Sequence, residues 1–196
     1  MTFAKNAWYC AALSTEIGET LLARRIVGEA ILLTRDGDGA VRAMGDRCPH
    51  RFAPLHLGIR EGDVIECPYH GLRFDLSGQC VHNPHGEGRI PATARVPSYR
   101  TEERDGVVWL WPGDQSLADP AKIVDLQLVD RGPRTPVAGH LNMPVDYRLV
   151  LDNLMDLSHA AYIHAGTLSP SRAKRQSTYD ADDNSIRVHK IGRAHV

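Results

Sequence analysis

Cys48-Pro49-His50-Arg51 and Cys67-Pro68-Tyr69-His70-Gly71 are the two stretches on which the reading of this chain turns. Each offers one thiol and one imidazole in a turn-like setting, with a proline directly after the cysteine. The segment between them is long enough to leave the site and come back. A structural Cys2His2 zinc site groups its cysteines together and its histidines together, whereas here the two types are interleaved. The interleaved order suits a [2Fe–2S] centre in which two histidines replace two cysteines on one iron, because each loop then reaches both irons. Cys48 and Cys67 are the expected ligands of one iron, and His50 and His70 of the other.

Outward from these loops the pattern is β. The run Ala30-Ile31-Leu32-Leu33 reaches the turn Asp36-Gly37-Asp38-Gly39 and restarts at Ala40-Val41-Arg42-Ala43, which reads as a hairpin. Asp63-Val64-Ile65-Glu66 and Leu72-Arg73-Phe74 read as short strands flanking the second Cys/His pair. Asp105-Gly106 turns into Val107-Val108-Trp109-Leu110-Trp111, which Pro112-Gly113 ends. Residues 1–115 are therefore expected to be mainly β, and Gly113 to Ser116 with Asp119-Pro120 to be a linker into a second unit. Beyond it, Leu149 to Ile163 lacks Gly and Pro and places Leu151, Leu154 and Met155 at helical spacing. A helix is expected there, with Gly166 as its C-terminal stop.

The 23 basic and 24 acidic residues leave a formal charge of -1, so no field draws this chain to nucleic acid or to an anionic membrane. Apolar runs such as Ile31 to Leu33 or Val107 to Trp111 are far too short to span a bilayer. The start, Met1 to Asn6, lacks the basic and apolar regions of a secretory signal, which points to a cytoplasmic location. In that reducing setting no disulfide is expected, and Cys10 and Cys80 are expected to be packed thiols.

The two Cys/His motifs resemble the cluster-binding motifs of Rieske proteins. In the respiratory-chain type each cluster loop also carries a cysteine of a loop-joining disulfide, and the matching positions here are Ala53 and Tyr69. The resemblance therefore implies the low-potential branch of ferredoxins and oxygenases, which take electrons from a reductase fed by a nicotinamide nucleotide. His50 and His70 would be the points of electron entry and exit.

A second motif runs Asp152-Asn153-Leu154-Met155-Asp156-Leu157-Ser158-His159-Ala160-Ala161-Tyr162-Ile163-His164. On a helix, Asp156 and His159 share a face at i,i+3, and His164 joins them only where the helix is ending. Two histidines and a carboxylate form the facial triad of non-haem Fe(II) sites, although a pair of histidines near a helix end serves equally well as structure. Placed after a Rieske motif, the pattern resembles the mononuclear-iron signature of Rieske non-haem iron oxygenases. That resemblance implies His159 and His164 as imidazole ligands of an Fe(II) ion. It also implies Asp156 as a carboxylate bridging a neighbouring subunit's cluster histidine to the iron-ligand histidine, hence a ring-shaped homotrimer. Asn153 resembles the polar residue near the open face of the iron.

Asn6-Ala7-Trp8-Tyr9, the first cluster loop through Leu55, Gly78 to Gly86 and Asp152 to Asp156 together resemble the vanillate and dicamba O-demethylase oxygenase components. The implied fold is a mainly β Rieske domain over 1–115, followed over 116–189 by the start of an α+β helix-grip catalytic domain. The implied activity is a two-component, NAD(P)H-linked Rieske monooxygenase that O-demethylates an aromatic methyl ether such as vanillate. It would use O2 and electrons from a reductase carrying flavin and a ferredoxin-type cluster. Hydroxylation of the ether methyl carbon would give a hemiacetal that collapses to a phenol and formaldehyde. A ring-hydroxylating dioxygenase stays open, as does a stand-alone Rieske electron carrier, against which the motif from Asp152 to His164 argues.

His82 and His85 belong to the similarity but not to a ligand pattern, and read as loop or packing histidines. The family's third iron ligand is a carboxylate farther downstream. Asp180, Asp182 and Asp183, with Asn184 and Ser185, read as a polar turn instead. Ile191-Gly192-Arg193-Ala194-His195-Val196 matches the translation of a sequencing adapter, so residues 190–196 are expected to be an adapter-derived tail on a truncated read. Lacking a third ligand, the chain as it stands is not expected to complete the reaction.

Overall fold

A computed structural model describes residues 3–126, 139, 141–156, 158–164, 177–182 and 186–190. The chain divides into two units, 1–136 and 137–196. The first unit is built from ten strands: β1 (Tyr9–Leu13), β2 (Leu22–Ile26), β3 (Glu29–Arg35), β4 (Val41–Gly45), β5 (Ile59–Glu61), β6 (Val64–Glu66), β7 (Arg73–Asp75), β8 (Cys80–His82), β9 (Ser98–Arg104) and β10 (Val107–Trp111). They form a six-stranded sheet in the order β1-β10-β9-β4-β3-β2 and a four-stranded sheet in the order β5-β6-β7-β8. All the pairings are antiparallel.

Strand β3, next to the edge strand β2 in the large sheet, explains how two sheets make one unit. Ile31, Leu32, Leu33 and Thr34 are fully buried, so both faces of this strand are covered. Successive side chains point to opposite faces. Ile31 and Leu33 enter one core with Ile26, Val41, Val108 and Leu110, while Leu32 enters a second with Met44, Leu55, Ile65 and Phe74. Fully burying one such side chain contributes about 1.5–3 kcal/mol. The second core is the floor on which the cysteine loops stand.

The turns follow from the sequence. Asp105 and Gly106 both adopt positive φ, at 55° and 75°, as a two-residue hairpin requires, and β10 runs from Val107 to Trp111 as the pattern predicts. The hairpin from β3 to β4 closes through Asp36, whose carboxylate accepts from the Asp38 and Ala40 amides at 3.1 and 2.8 Å. Cys80 is buried, as expected, but Cys10 is exposed. A bulge in β1 between Cys10 and Ala12 turns both Ala11 and Ala12 inward and leaves Cys10 on the outer side.

The segment whose composition suggests a linker is fastened down. The Trp8 indole donates to the Asp119 carbonyl at 2.8 Å, the Asp114 amide donates to Asn6 Oδ1 at 2.9 Å, and the rings of Trp8 and Trp111 meet edge to face. A Cβ at Gly113 would lie 2.1 Å from Asn6 Oδ1 and 2.5 Å from the Lys5 carbonyl, so only glycine permits this approach. The first unit thus continues past residue 115.

In the second unit, helix α1 (Tyr147–Met155) is capped by Asp146, whose side chain accepts from the Arg148 amide. A 3-10 turn follows at His159–Ala161, and β11 (Ser177–Ala181) pairs with β12 (Ile186–Lys190). The helix expected through Ile163 ends at Met155 instead. The expected stop at Gly166, the acid Asp183 with Asn184 and Ser185, and the tail from Ile191 lie outside the described residues. No helix among the described residues is long and apolar enough to cross a membrane.

One side chain ties several elements of the large sheet together. Arg35 donates to the carbonyls of Ser14, Ile17 and Gly39 and to both carboxylate oxygens of Glu103, all at 2.8–3.0 Å. The Arg35 guanidinium holds the Glu103 carboxyl well below its ordinary value of 4.5, at about 2. A lowered folded pKa means stability that is fully present above 4.5 and is lost as pH falls towards 2. Urea denaturation of the wild type and Glu103→Gln across this range should show the wild type more stable at neutral pH. The gap should close as the pH approaches 2.

Candidate metal centres

Two loops carry the cysteine-histidine pairs. Residues 46–58 connect β4 to β5, and residues 67–72 connect β6 to β7. Their backbones close in the same way. In the first, the Cys48 amide donates to Ala53 O at 2.9 Å and the Phe52 amide returns to Cys48 O at 2.8 Å. In the second, the Cys67 amide donates to Leu72 O at 2.8 Å and the Gly71 amide returns to Cys67 O at 3.0 Å. The fourth residue after each cysteine is left-handed, Phe52 at φ 57° and Gly71 at φ 71°. The histidines stand at different offsets, yet their rings meet, with His50 and His70 centroids 4.7 Å apart.

The sulfurs lie beneath the rings. Cys48 and Cys67 are each 2% exposed and belong to the second core, whereas His50 is exposed and His70 half-buried. Burial pushes the Cys48 thiol up to about 11, reinforced by the hydrogen bond and charge of the neighbouring Cys67 thiol. Backbone amides of His50 and Arg51 act the other way by donating to the Cys48 sulfur. The His70 imidazole is pushed below its ordinary value, chiefly by burial and then by His50, His85 and Arg51, which favours the neutral form that binds metal. Two thiols below and two imidazoles above fit a [2Fe–2S] centre with two ligands per iron. Among the described residues no three His, Cys, Asp or Glu side chains gather into a cage for a single ion.

Neighbouring groups hold these loops in place. Buried Asp46 accepts from the His56 amide at 2.8 Å and from His56 Nδ1 at 2.5 Å, closing the far side of the first loop. A Cβ at Gly58 would come within 2.0 Å of the Glu66 carbonyl, one residue before Cys67, so glycine lets the two loops approach. The Tyr69 ring lies over that of His70, centroids 4.0 Å apart. Beside the imidazoles opens a cleft of about 500 Å3 walled by Leu72, Cys80, Ile90 and Pro91.

The second motif is arranged differently from the helical face its spacing predicts. Asp156 terminates α1, and its carboxylate accepts from the Ser158 amide at 2.9 Å and the Ser158 hydroxyl at 2.5 Å. This local bond competes with the helix, which is why α1 stops short of Ile163. The same serine lowers the Asp156 carboxyl below its ordinary range. His159 Nδ1 rests on the backbone carbonyl of Asp156. A carbonyl only accepts, so Nδ1 carries a proton. The rings of His159 and His164 come together edge to face, centroids 5.4 Å apart, while Asn153 is exposed on α1.

Residues 7–100 match the family model for the Rieske [2Fe-2S] domain, and residues 143–195 match that of the vanillate O-demethylase oxygenase C-terminal domain. The chain belongs to the Rieske oxygenase family. It is 52% identical over 165 residues to the oxygenase component of dicamba O-demethylase from Stenotrophomonas maltophilia, covering 84% of this chain and 48% of that protein. The vanillate O-demethylase oxygenase subunit of Pseudomonas sp. strain HR199 is 44% identical, with 85% and 46% covered. The crystal structure of dicamba monooxygenase bound to 3,6-dichlorosalicylic acid superposes with a TM-score of 0.87 at 44% identity, covering 96% of this chain and 56% of that one. The chain spans about half the length of the curated relatives it matches.

Within this Rieske fold, the residues that the motifs alone do not reveal are supports rather than donors. Asp46 and His56 act through hydrogen bonds set by folded geometry, and in the second unit Ser158 acts on Asp156 from two residues away. Replacing Ser158 by Ala should raise the Asp156 pKa towards its ordinary 3.8, read by NMR titration of the carboxyl carbon. Phe52→Gly should leave the denaturation midpoint unchanged or raised. It removes left-handed strain of roughly 1–2 kcal/mol and adds a glycine entropy cost of about 0.5–1 kcal/mol.

Proposed function

We propose that the whole protein is the oxygenase component of a two-component Rieske monooxygenase that O-demethylates an aromatic methyl ether with O2. The observation that carries the reading is the pair of buried thiols beneath a pair of imidazoles, followed in the same chain by His159 and His164 with adjoining rings. In this reading Cys48 and Cys67 hold one iron of a [2Fe–2S] cluster and His50 and His70 the other. His159 and His164 supply two imidazoles to a mononuclear non-haem Fe(II). When bound, these groups supply electron storage and O2 activation.

The protein's own groups position, protonate and connect. The exposed His50 edge gives electrons a way in from a reductase that carries flavin and a ferredoxin-type cluster and draws on NAD(P)H. The Asp156 carbonyl keeps a proton of His159 on Nδ1, which leaves Nε2 as the nitrogen to meet the iron. The Asp156 carboxylate is the bridge to a neighbouring subunit's cluster histidine in a homotrimer, and Asn153 stands near the open side of the iron. To serve as that bridge, the carboxylate shares or gives up the Ser158 hydroxyl. A cytoplasmic location supplies the reduced nicotinamide.

The choice of substrate class draws on the relatives, which are named for demethylating dicamba and vanillate. Another relative, the oxygenase component of chloroacetanilide N-alkylformylase from Rhizorhabdus wittichii, is 46% identical, with 85% of this chain and 48% of that protein covered. Its name favours N-dealkylation of an aryl amide as a second reading.

The test is the full-length protein purified anaerobically with a matched reductase and NADH. Three irons per chain, a Rieske EPR signal and formaldehyde released in step with NADH from vanillate-type ethers are expected. Two irons and no product would leave an electron carrier, a cis-diol without formaldehyde a dioxygenase, and zinc in place of iron would overturn the cluster. Cys67→Ser should abolish the EPR signal, whereas Cys80→Ser, at an equally buried thiol outside the proposed ligands, should keep it.

A further inference from the structure

A third loop, residues 83–97 between β8 and β9, reaches the second cluster loop through one imidazole. His85 Nε2 lies 2.8 Å from the backbone carbonyl oxygen of His70, and the His85 ring stands edge-on to the His70 ring with centroids 6.1 Å apart. Because a carbonyl only accepts, His85 carries its proton on Nε2. The loop that presents it is itself fixed. The His85 amide donates to Asn83 Oδ1 at 3.1 Å, Asn83 Nδ2 donates to the Arg89 carbonyl at 2.8 Å, and the Gly88 amide donates to the His85 carbonyl at 3.1 Å.

The contact falls on a peptide that is gripped from both sides. The His70 carbonyl is held by His85, and the Gly71 amide of the same peptide is held by the Cys67 carbonyl at 3.0 Å. Pro84 packs against Gly71, where a Cβ would lie 3.2 Å from the proline Cγ. The direction of the His70 side chain follows from the orientation of that peptide. His85 is exposed, so its place here is not accounted for by burial of apolar surface.

We infer that His85 is a positioning residue for His70, fixing the peptide from which the cluster-facing imidazole projects. The inference rests on the reading of His70 as a cluster ligand. Groups that orient a ligand tune the potential and the retention of the metal it binds, and their loss typically costs 10–100-fold in affinity. The donor is the part that matters, so a side chain placing an N–H at the same reach should substitute for it.

The test uses the full-length protein with its cluster assembled anaerobically, as wild type, His85→Gln, His85→Asn and His85→Leu. Glutamine reaches as far as Nε2 and donates, asparagine is polar but too short, and leucine is apolar. Leucine and asparagine should each shift the midpoint potential, broaden the EPR lines and speed cluster loss to a chelator by about 10-fold or more. Glutamine should restore all three. Variants indistinguishable from wild type, or glutamine behaving like leucine, would overturn the inference while leaving the cluster in place. A wild-type chain with iron but no Rieske spectrum would overturn the ligand reading and this inference with it.

Discussion

A thiol becomes a good metal ligand only when it loses its proton, and for Cys48, with Cys67 as its neighbour, burial opposes that loss. They lie side by side, each 2% exposed, in a core with Leu32, Ile65 and Phe74. Burial leaves a Cys48 thiolate little water, and the hydrogen bond and charge of the neighbouring Cys67 add to the penalty, so the Cys48 thiol is pushed up to about 11. The protein offers a partial answer through the amides of His50 and Arg51, which donate to the Cys48 sulfur. A larger compensating charge has to be positive, localised and matched to sulfur. Iron meets those requirements, and this is the physical case for reading the pair as ligands.

Placing two polar atoms in an apolar floor requires rigid loops, and the first unit is arranged to supply them. β3 divides the interior into two cores, so the six-stranded sheet is stabilised on one face while its other face seats the cysteines. The four-stranded sheet then holds the second loop as a hairpin connection, with Arg73 of β7 pairing to Glu66 of β6 at 2.7 Å across its base. Asp46 closes the first loop through the amide and Nδ1 of His56. None of these contacts donates to a metal. Together they fix where the donors point.

The features legible in the sequence were those set by local chemistry. The Cys/His motifs, the turn at Asp105-Gly106 and the strand it launches depend on neighbouring residues and a period of two, so their positions could be read directly. What escaped depended on partners distant in sequence or on competition between bonds. Cys10 faces outward because a bulge shifts the register of β1. The stretch after Pro112 has the composition of a linker, yet Asn6 and Trp8 hold it from more than a hundred residues away. Helical spacing carried α1 on to Ile163, but the Ser158 hydroxyl captures the Asp156 carboxylate and ends the helix sooner. His85 stood in a stretch already marked by resemblance, but its reach to His70 is a property of the folded loop.

The two cysteine loops solve one backbone problem with different residues, and the difference bears on the outer surface of the site. Both need a left-handed residue four places after the cysteine to return an amide to the cysteine carbonyl. Gly71 does so without strain. Phe52 does so at a cost of about 1–2 kcal/mol, and its side chain, 69% exposed, recovers little of that by burial. A glycine would supply the same amide, so local stability does not account for an aromatic residue there. Phe52 lines the same shallow hollow as His50, Arg51 and Tyr69, and the Tyr69 ring covers that of His70. The surface around the imidazoles therefore carries the Phe52 and Tyr69 rings beside the Arg51 guanidinium, where the loop geometry alone would have left a glycine. The left-handed strain at Phe52 is thus held at an exposed position beside the proposed donors, where burial does not offset it.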